Sequence, residues 1–470
     1  MARAKLICTL GPATESEEKI IRLVDAGMNV ARINFSHGDH DYFRMLIERI
    51  RAVSEKTGKT ISVLGDLCGP KIRIGDIEGG SFDLNAGDSL TLTTRTVVGK
   101  PGLVSTTYPN FVSDIEAGKR ILIDDGNIEL AVEDVRPEEV KTNVLVGGNL
   151  KEHKGMNLPG VKVSAPAISA KDFSDIEFSV QEGVDLLALS FVRSPHDIVK
   201  AKTIIANLGG DIPVIAKIEK EEAVGDIGEI IQQSFGIMIA RGDLGVEMAP
   251  ERIPLIQKTI IKKCNVLGKP VITATQMLES MIHNPRATRA ETSDVANAIL
   301  DGSDAVMLSG ETSIGKYPEA AAKTAHSIIE NVENELGKGR SFSEFIPEES
   351  VIADAVTAAA CRAAEILSAS LIVAYTESGS TAMRLSKHRP KTRILAITPS
   401  ERIQRRIEIF WGVRSCRAPE VVDVGNVARE AGDLAVKKGL AKKGDTVVVT
   451  FGTPIGVAGT TNLMNIVKIT

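Results

Sequence analysis

Short apolar runs alternate with helix-like stretches over the first 70 residues and again between about residues 170 and 335. Strands that alternate with helices predict a parallel sheet, and eight such units favour a closed (β/α)8 barrel, the TIM barrel fold. An open doubly wound sheet is the alternative that the same pattern allows. The eight runs cover residues 5–11, 29–35, 61–67, 186–192, 213–219, 236–244, 270–277 and 305–312.

Two further regions interrupt and follow this pattern. Residues 70–170 hold short β-like stretches between turns rich in Gly, Asp and Pro, which predicts a small all-β domain inserted into a βα loop. After a polar stretch at 330–350, an Ala-rich helical pattern and four apolar runs predict an α/β domain with an open sheet. We therefore predict a catalytic barrel over 1–69 and 171–335, an inserted β-barrel lid over 70–170, and a C-terminal domain for effector or oligomer contacts over 336–470.

Composition excludes several classes of protein. The net charge of −5 and the aromatic content of 4% argue against nucleic-acid and anionic-membrane partners. No apolar stretch reaches the roughly 18 residues of a membrane span, and the N-terminus has no signal-like apolar region. The five cysteines form no CxxC pair, so we expect packing roles for them, including Cys68. These features are typical of a cytoplasmic protein.

Polar side chains follow six of the eight predicted strands. In TIM barrels, side chains at the C-terminal ends of strands form the active site, so this pattern predicts one there. The residues are Arg32, Asn34, Ser36 and His37 after the second run, Asp66 after the third, Lys217 and Glu219 after the fifth, Arg241 and Asp243 after the sixth, Thr275 after the seventh, and Ser309 and Glu311 after the eighth.

Three of these residues suggest a metal site with a neighbouring cation. Glu219 and Asp243 offer the hard oxygen ligands that Mg2+ (or Mn2+) prefers, although a salt bridge to a nearby Arg or Lys is the alternative. Lys217 precedes Glu219 by two residues on one strand, so both side chains point to the same side. A lysine there suits negative charge that develops on a transferring phosphoryl group or an enolate oxygen.

Further cations favour phosphoryl transfer. Arg32 lies at the predicted barrel mouth, and Arg73 and Lys154 lie on the two stems of the inserted domain. Phosphoryl transfer depends mainly on positioning and charge neutralisation, which such cations would supply on closure. A Mg2+-dependent lyase or aldolase acting on pyruvate would not need the stem cations. A catalytically inactive sugar-phosphate sensor would not need Lys217, Glu219 and Asp243.

Longer motifs carry a resemblance to a known family. The stretches "GDLCGPKIR", "ATQMLESM" and "MLSGETSIGKYP", with others from residue 5 to about 465, resemble the pyruvate kinase family. The resemblance implies transfer of a phosphoryl group from phosphoenolpyruvate to ADP, giving pyruvate and ATP, as the final step of glycolysis. It also implies a homotetramer.

The resemblance implies a role for each matching residue. Arg32 and Lys217 would contact the phosphoryl group, and Glu219 and Asp243 would hold Mg2+. The main chain of Ala240, Arg241, Gly242 and Asp243 and the Thr275 hydroxyl would position the substrate carboxylate; Asn34, His37, Arg73 and Lys154 would line the nucleotide side; Thr275 and Ser309 would lie on the proton path to the enolate.

One departure from the family pattern concerns potassium. Potassium-dependent members bind K+ with oxygens that match Asn34, Ser36 and Asp66, but Leu67 and Lys71 stand where those members have Thr and Glu. A lysine ammonium can supply the missing monovalent charge. We therefore predict activity without added K+; the alternative is that Lys71 contacts only solvent.

A second departure concerns regulation. The loop of Thr376, Ser378, Gly379, Ser380 and Thr381 resembles the family's effector phosphate loop. Glu377 stands where members activated by fructose 1,6-bisphosphate often have Lys. A carboxylate disfavours a second phosphate, so the sequence predicts AMP or a sugar monophosphate as effector, an unregulated surface turn being the alternative.

Overall fold

The structure is a computed structural model. It describes residues 2–336, 351–419, 425–454 and 456–470. Most of the polar stretch predicted at 330–350 lies outside the described residues.

Eight parallel strands close into a barrel and follow one another around it in chain order. The first strand pairs with the eighth, Lys5 lying opposite Ala305, which closes the sheet. The predicted TIM barrel is thereby confirmed against the open sheet. Barrel strands 1 to 8 are Lys5–Thr9, Met28–Asn34, Ser62–Asp66, Leu186–Leu189, Val214–Ile218, Gly236–Ala240, Val271–Ala274 and Ala305–Leu308.

The strands are apolar on both faces because each face is covered. Val30, Leu64 and Ile215 belong to the cluster inside the barrel, whereas the neighbouring residues Ala31 and Val63 pack against the surrounding helices. Alternate residues of a strand point to opposite faces. Residues two positions after an interior residue therefore point into the barrel mouth.

Helices surround the barrel. Several begin at a side chain that accepts the free N–H groups of the first turn, as Asp39 does for Tyr42 at 2.9 Å. The barrel-side helices are Glu17–Asp25, His40–Thr57, Ala170–Gln181, Pro195–Asn207, Glu221–Gly225, Ile227–Gln233, Arg241–Glu247, Ile253–Leu267, Arg289–Asp301, Gly310–Ser313 and Pro318–Leu336, with 3-10 turns at Pro250–Arg252 and Glu279–Ile282. The strand predicted over residues 236–244 was wrong in its second half, because the strand ends at Ala240 and a helix begins at Arg241.

The inserted region is a small β domain with its own apolar core. Leu90, Ile121, Leu130 and Val140 are fully buried in it. Its strands form a six-stranded sheet and a two-stranded one. They are Ser81–Leu84, Ser89–Thr93, Leu103–Ser105, Arg120–Ile123, Ile128–Arg136, Glu139–Val146, Gly148–Lys151 and Met156–Asn157, with one helical turn at Phe111–Asp114.

The C-terminal region has an open sheet, as predicted, but with five strands where the sequence showed four apolar runs. Its strand order is Val413–Arg417, Arg393–Thr398, Leu371–Tyr375, Thr446–Gly452 and Thr461–Lys468, the last strand being antiparallel. Its helices are Ile352–Ile366, Ser380–Lys387, Glu401–Arg406 and Val427–Lys437, with a 3-10 turn at Ile407–Ile409.

One buried carboxylate joins the two chain passages between the barrel and the inserted β domain, the predicted lid. Asp172 is fully buried and its Oδ1 accepts the Gly69 N–H at 2.9 Å. Its Oδ2 accepts the Ser169 N–H at 2.8 Å and the Ser169 hydroxyl at 2.6 Å. Gly69 has a φ of +69°, and a Cβ there would lie 2.6 Å from the Phe191 ring. Asp172 therefore fixes both ends of the lid at one point.

The Asp172→Asn variant tests this connection. We expect faster amide exchange at residues 69–75 and 161–169, by about tenfold or more, because one buried N–H donor loses its acceptor at a cost of about 1–3 kcal/mol. Hydrogen–deuterium exchange with mass spectrometry measures the effect.

Asp304→Asn is the matched control. Asp304 is also a buried carboxylate that accepts a main-chain N–H, that of Val271 at 2.9 Å, and this contact lies within the barrel, away from both passages. Equal exchange at the lid passages in both variants would contradict the role assigned to Asp172.

Candidate active site

A buried carboxylate flanked by two cations lies at the C-terminal mouth of the barrel. Asp66 ends barrel strand 3 and has no exposed surface. The Arg32 Nε donates to its Oδ2 at 2.7 Å, and the Lys217 Nζ lies 3.1 Å from its Oδ1. Arg32 also donates to the Thr9 hydroxyl at 2.8 Å. The ends of strands 1, 2, 3 and 5 are thus joined through one carboxylate.

Lys217 has three partners at its ammonium group. Its Nζ lies 3.1 Å from Asp66, 3.0 Å from the Glu219 Oε1 and 2.7 Å from the Ser190 Oγ. An ammonium group has three N–H donors. The contact to Ser190 is a hydrogen bond, whereas Asp66 and Glu219 lie at ion-pair distance. Two charges therefore hold the head of this buried side chain in place, and Ser190 gives it a direction.

Burial and charge act in opposite directions on the pKa values of this cluster. Burial lowers the pKa of Lys217, but the carboxylates of Asp66 and Glu219 outweigh it and raise that pKa above its usual range. Burial raises the pKa of Asp66, but Lys217 and Arg32 outweigh it and hold the pKa below its usual value. Both groups are therefore charged at neutral pH.

Glu219 and Asp243 are in a different electrostatic situation. Burial raises the pKa of Glu219, and the negative charge of Asp243 raises it further. Burial also raises the pKa of Asp243. Glu219 additionally accepts the Phe191 N–H at 2.6 Å. Glu219 is buried and Asp243 is half-buried. Two such carboxylates with raised pKa values fit a divalent cation, which prefers oxygen ligands and would offset the repulsion between them.

The predicted substrate segment begins where barrel strand 6 becomes a helix. The Gly242 N–H donates to the Thr275 Oγ1 at 2.8 Å, and the Thr275 hydroxyl donates to the Ala274 carbonyl at 2.6 Å. Thr275 has a φ of +66°, which is unfavourable for a β-branched residue. The Arg241 side chain is bound by Asp294 at 2.6 Å through both Nη atoms. Because the Arg241 guanidinium is bound to Asp294, only the main chain of Arg241 is available to a substrate.

A cleft of about 280 Å³ lies between the barrel mouth and the lid. Arg73, Lys154 and Asp243 all line it. Arg73 donates to the His153 carbonyl at 2.7 Å, and the Lys154 Nζ lies 2.7 Å from the Asp124 carboxylate. The two lid cations predicted from the sequence therefore face the same space as a predicted metal ligand.

Lys71 lines this cleft and contacts one of the predicted monovalent-cation residues. The Lys71 Nζ donates to the Ser36 Oγ at 3.1 Å, and the Ser36 N–H donates to the Asn34 Oδ1 at 3.1 Å. Leu67 has a buried side chain, and its carbonyl accepts the Ser190 hydroxyl at 2.7 Å. Lys71 thus contacts one of the retained oxygen groups as well as solvent.

His37 is close to several cations. Burial lowers its pKa, and the charges of Lys71, Arg73 and Arg32 lower it further. A neutral imidazole is therefore expected beside the cleft at pH 7.

Ser309 lies at the end of barrel strand 8, where its N–H donates to the Glu311 carboxylate at 2.7 Å. No hydrogen bond among the described residues joins Ser309 directly to the Lys217 cluster.

Sequence reasoning missed Thr9, Ser190 and Phe191. Thr9 and Ser190 lie within apolar runs. However, Thr9 follows the interior residue Ile7 by two positions, and Ser190 follows the interior residue Ala188 by two. The period of two along a strand could therefore have indicated both. Phe191 contributes its main-chain N–H, and the identity of a side chain does not predict such a role.

The predicted effector loop lies in the C-terminal domain. Thr376, Glu377, Ser380 and Thr381 line a small cavity of about 50 Å³. The Gly379 N–H donates to the Thr376 hydroxyl at 2.9 Å, and the hydroxyls of Ser378 and Ser380 lie 3.1 Å apart. The hydroxyls of Thr381 and Thr461 are 2.6 Å apart. The loop and the segment around Thr461 thus enclose a site rich in hydroxyl groups.

Among the helices that the structure describes, none is long and apolar enough to cross a membrane.

Comparisons with known proteins agree with this architecture. Residues 1–322 match the family model "Pyruvate kinase, barrel domain", and residues 354–467 match "Pyruvate kinase, alpha/beta domain". The chain is 47% identical over 468 residues to a pyruvate kinase of Geobacillus stearothermophilus, covering 99% of this chain and 80% of that protein. It is 46% identical over 469 residues to one of Staphylococcus aureus (strain USA300), with the same two coverages. A crystal structure of a pyruvate kinase from Cryptosporidium parvum aligns with a TM-score of 0.94 at 36% identity, covering 100% of this chain and 96% of that chain.

Proposed function

This chain belongs to the pyruvate kinase family, and we propose that Lys217 and Arg32 carry out its chemistry at the mouth of the barrel. The family's reaction moves the phosphoryl group of phosphoenolpyruvate to ADP and gives pyruvate and ATP, and this chain is a phosphotransferase of that type. The observation that supports the assignment is the Lys217 ammonium, held charged and in a fixed direction by Asp66, Glu219 and Ser190.

The family generally uses a divalent metal, and we assign Mg2+ (or Mn2+) to Glu219 and Asp243. The support is their chemistry: a buried and a half-buried carboxylate whose pKa values burial raises, beside a cleft that Asp243 lines. When bound, such an ion stabilises negative charge on substrate oxygens as a Lewis acid.

The protein's own residues position the substrate and the developing charge. The main chain at Ala240–Asp243 and the Thr275 hydroxyl, which Gly242 holds in place, orient the substrate carboxylate. Arg32 and Lys217 neutralise the phosphoryl group during transfer, and Lys217 then stabilises the enolate oxygen. Thr275 and Ser309 belong to the route by which the enolate carbon gains a proton.

The nucleotide is assigned to the lid side of the cleft. Arg73 and Lys154, which line the cleft, bind its phosphates there. Asn34 and the neutral His37 are assigned to the same side, since the charges of Lys71 and Arg73 reach His37. We further propose that Lys71 replaces K+, because its ammonium donates to Ser36, one of the retained oxygen groups. A cytoplasmic location and a homotetramer remain predictions from the sequence.

The Lys217→Met variant tests the assignment of the central cation. In a coupled assay of ATP formation from phosphoenolpyruvate and ADP, we expect turnover to fall by at least about 100-fold, because the charge that stabilises the transferring group and the enolate is lost. Lys269→Met is the matched control, since Lys269 is a partly buried lysine that donates to the Ser234 carbonyl away from the site. Near wild-type turnover of Lys217→Met would refute the assignment. ATP formation by the wild type also separates this reading from a lyase or aldolase.

Potassium dependence tests the role of Lys71. The wild type in buffer free of K+ and Na+ should turn over at a rate within about tenfold of the rate with K+, because a fixed ammonium supplies the monovalent charge. Lys71→Met should be slower without K+ and partly restored by it, whereas Lys151→Met, which removes an exposed lysine of the lid, should behave as wild type. A rise of tenfold or more when K+ is added to the wild type would overturn the proposal.

We propose a monophosphate effector for the loop at 376–381. Glu377 lines the cavity with the loop hydroxyls, and its carboxylate would repel a second phosphate. AMP or a sugar monophosphate should therefore shift the phosphoenolpyruvate saturation curve to lower concentration, and fructose 1,6-bisphosphate should not. Glu377→Lys should gain a response to the bisphosphate. A large shift of the wild type by the bisphosphate alone would contradict this reading.

A further inference from the structure

We propose that Ser190 is a positioning residue for Lys217, and that Ser190 and the Phe191 main chain together form a clip that orients the Lys217–Glu219 pair. The inference rests on the role proposed above for Lys217. Neither residue follows from the motifs that carry the family resemblance.

The Ser190 hydroxyl has a defined direction. It is 2% exposed, donates to the Leu67 carbonyl at 2.7 Å and accepts from the Lys217 Nζ at 2.7 Å. A hydroxyl has one hydrogen to donate. Because Leu67 takes that hydrogen, a lone pair of the oxygen is left facing Lys217.

The next residue holds the other member of the pair. The Phe191 N–H donates to the Glu219 Oε2 at 2.6 Å. Phe191 has a φ of +52°, a left-handed conformation that is unfavourable for an aromatic residue. The surrounding contacts maintain this conformation: the Phe191 ring packs against Gly69, where a Cβ would lie 2.6 Å away. Two successive residues thus fix Lys217 and Glu219 and connect both to the base of the lid.

Ser190 is also the one uncharged group among the three partners of Lys217. Asp66 and Glu219 lie 3.1 and 3.0 Å from the ammonium, whereas Ser190 lies at 2.7 Å. If Glu219 gives its Oε1 to a divalent ion, the ion pair with Asp66 and the hydrogen bond to Ser190 remain. Ser190, the hydrogen-bond acceptor, then sets the direction in which the other ammonium hydrogens face the substrate. Ser190 therefore contributes direction and no charge.

Ser190→Ala and Ser190→Cys test the clip, with Ser179→Ala as the matched control. Ser179 is equally buried and donates to the Asp175 carbonyl at 2.6 Å, within its own helix. We expect Ser190→Ala to lower kcat by about 10- to 100-fold with the KM for phosphoenolpyruvate within about threefold of wild type, because a small misplacement of a positioned group has effects of this size. The cysteine variant keeps the volume and weakens the hydrogen bond, so its loss should be smaller.

Two further measurements separate positioning from a general structural effect. Exchange of the methyl protons of pyruvate with D2O, followed by NMR, should slow by a similar factor, because Lys217 stabilises the same enolate. Binding of Mn2+ to the nucleotide-free protein, measured by calorimetry, should be unchanged, since Glu219 and Asp243 are intact.

Wild-type kcat and exchange in Ser190→Ala would overturn the inference, as would an equal loss in Ser179→Ala or a parallel loss of Mn2+ binding. If Ser190→Ala does not fold, the cysteine variant decides: wild-type kcat and exchange would overturn the inference, and a selective loss would support it. Lys217→Met in the same assays distinguishes the two proposals. An active Lys217→Met refutes the proposed chemistry, whereas an inactive one beside a fully active Ser190→Ala refutes the clip alone.

Discussion

The site depends on one buried ionic contact, that of Asp66 with Arg32 on one side and Lys217 on the other. Removing a charge from water is costly, and removing one partner from such a contact typically costs about 3–5 kcal/mol. A barrel interior tolerates these three charges because each is paired at hydrogen-bond distance. The same pairing keeps Lys217 charged and in contact with Asp66, which is the condition that its proposed chemistry requires.

The register of the barrel strands brings these residues together. Strand 2 places Asn34 opposite Asp66, and strand 4 places Ala188 opposite it. The interior residues Val30, Leu64 and Ile215 each precede a charged residue by two positions, namely Arg32, Asp66 and Lys217. Because alternate residues of a strand point to the same face, the charged residue lies directly above the apolar interior residue, at the mouth of the barrel. Slipping one strand by a residue would turn its charge toward the helices.

The barrel and the charged residues at its mouth were predictable from the sequence. Apolar runs separated by helical patterns specify the barrel, and charges directly after those runs can only lie at its mouth. Ser190 escaped prediction because it interrupts an apolar run without ending it. Asp172 escaped because its role depends on two donors, Gly69 and Ser169, of which one is distant in the chain. The edge strand Val413–Arg417 escaped because Arg414 and Arg417 are exposed and break the apolar signal. The roles proposed for Lys71 and Glu377 came from resemblance, since spacing alone does not indicate an ion or an effector.

A double-mutant cycle on thermal stability tests the dependence on Asp66 most directly. Asp66→Asn is measured at pH 7 by calorimetry in the wild type and in Lys217→Met. If the two charges stabilise one another, the loss on Asp66→Asn should be smaller in the Lys217→Met background by at least about 1 kcal/mol, the coupling typical of residues in contact. Equal losses in both backgrounds would show that the two residues act independently, and would contradict the account.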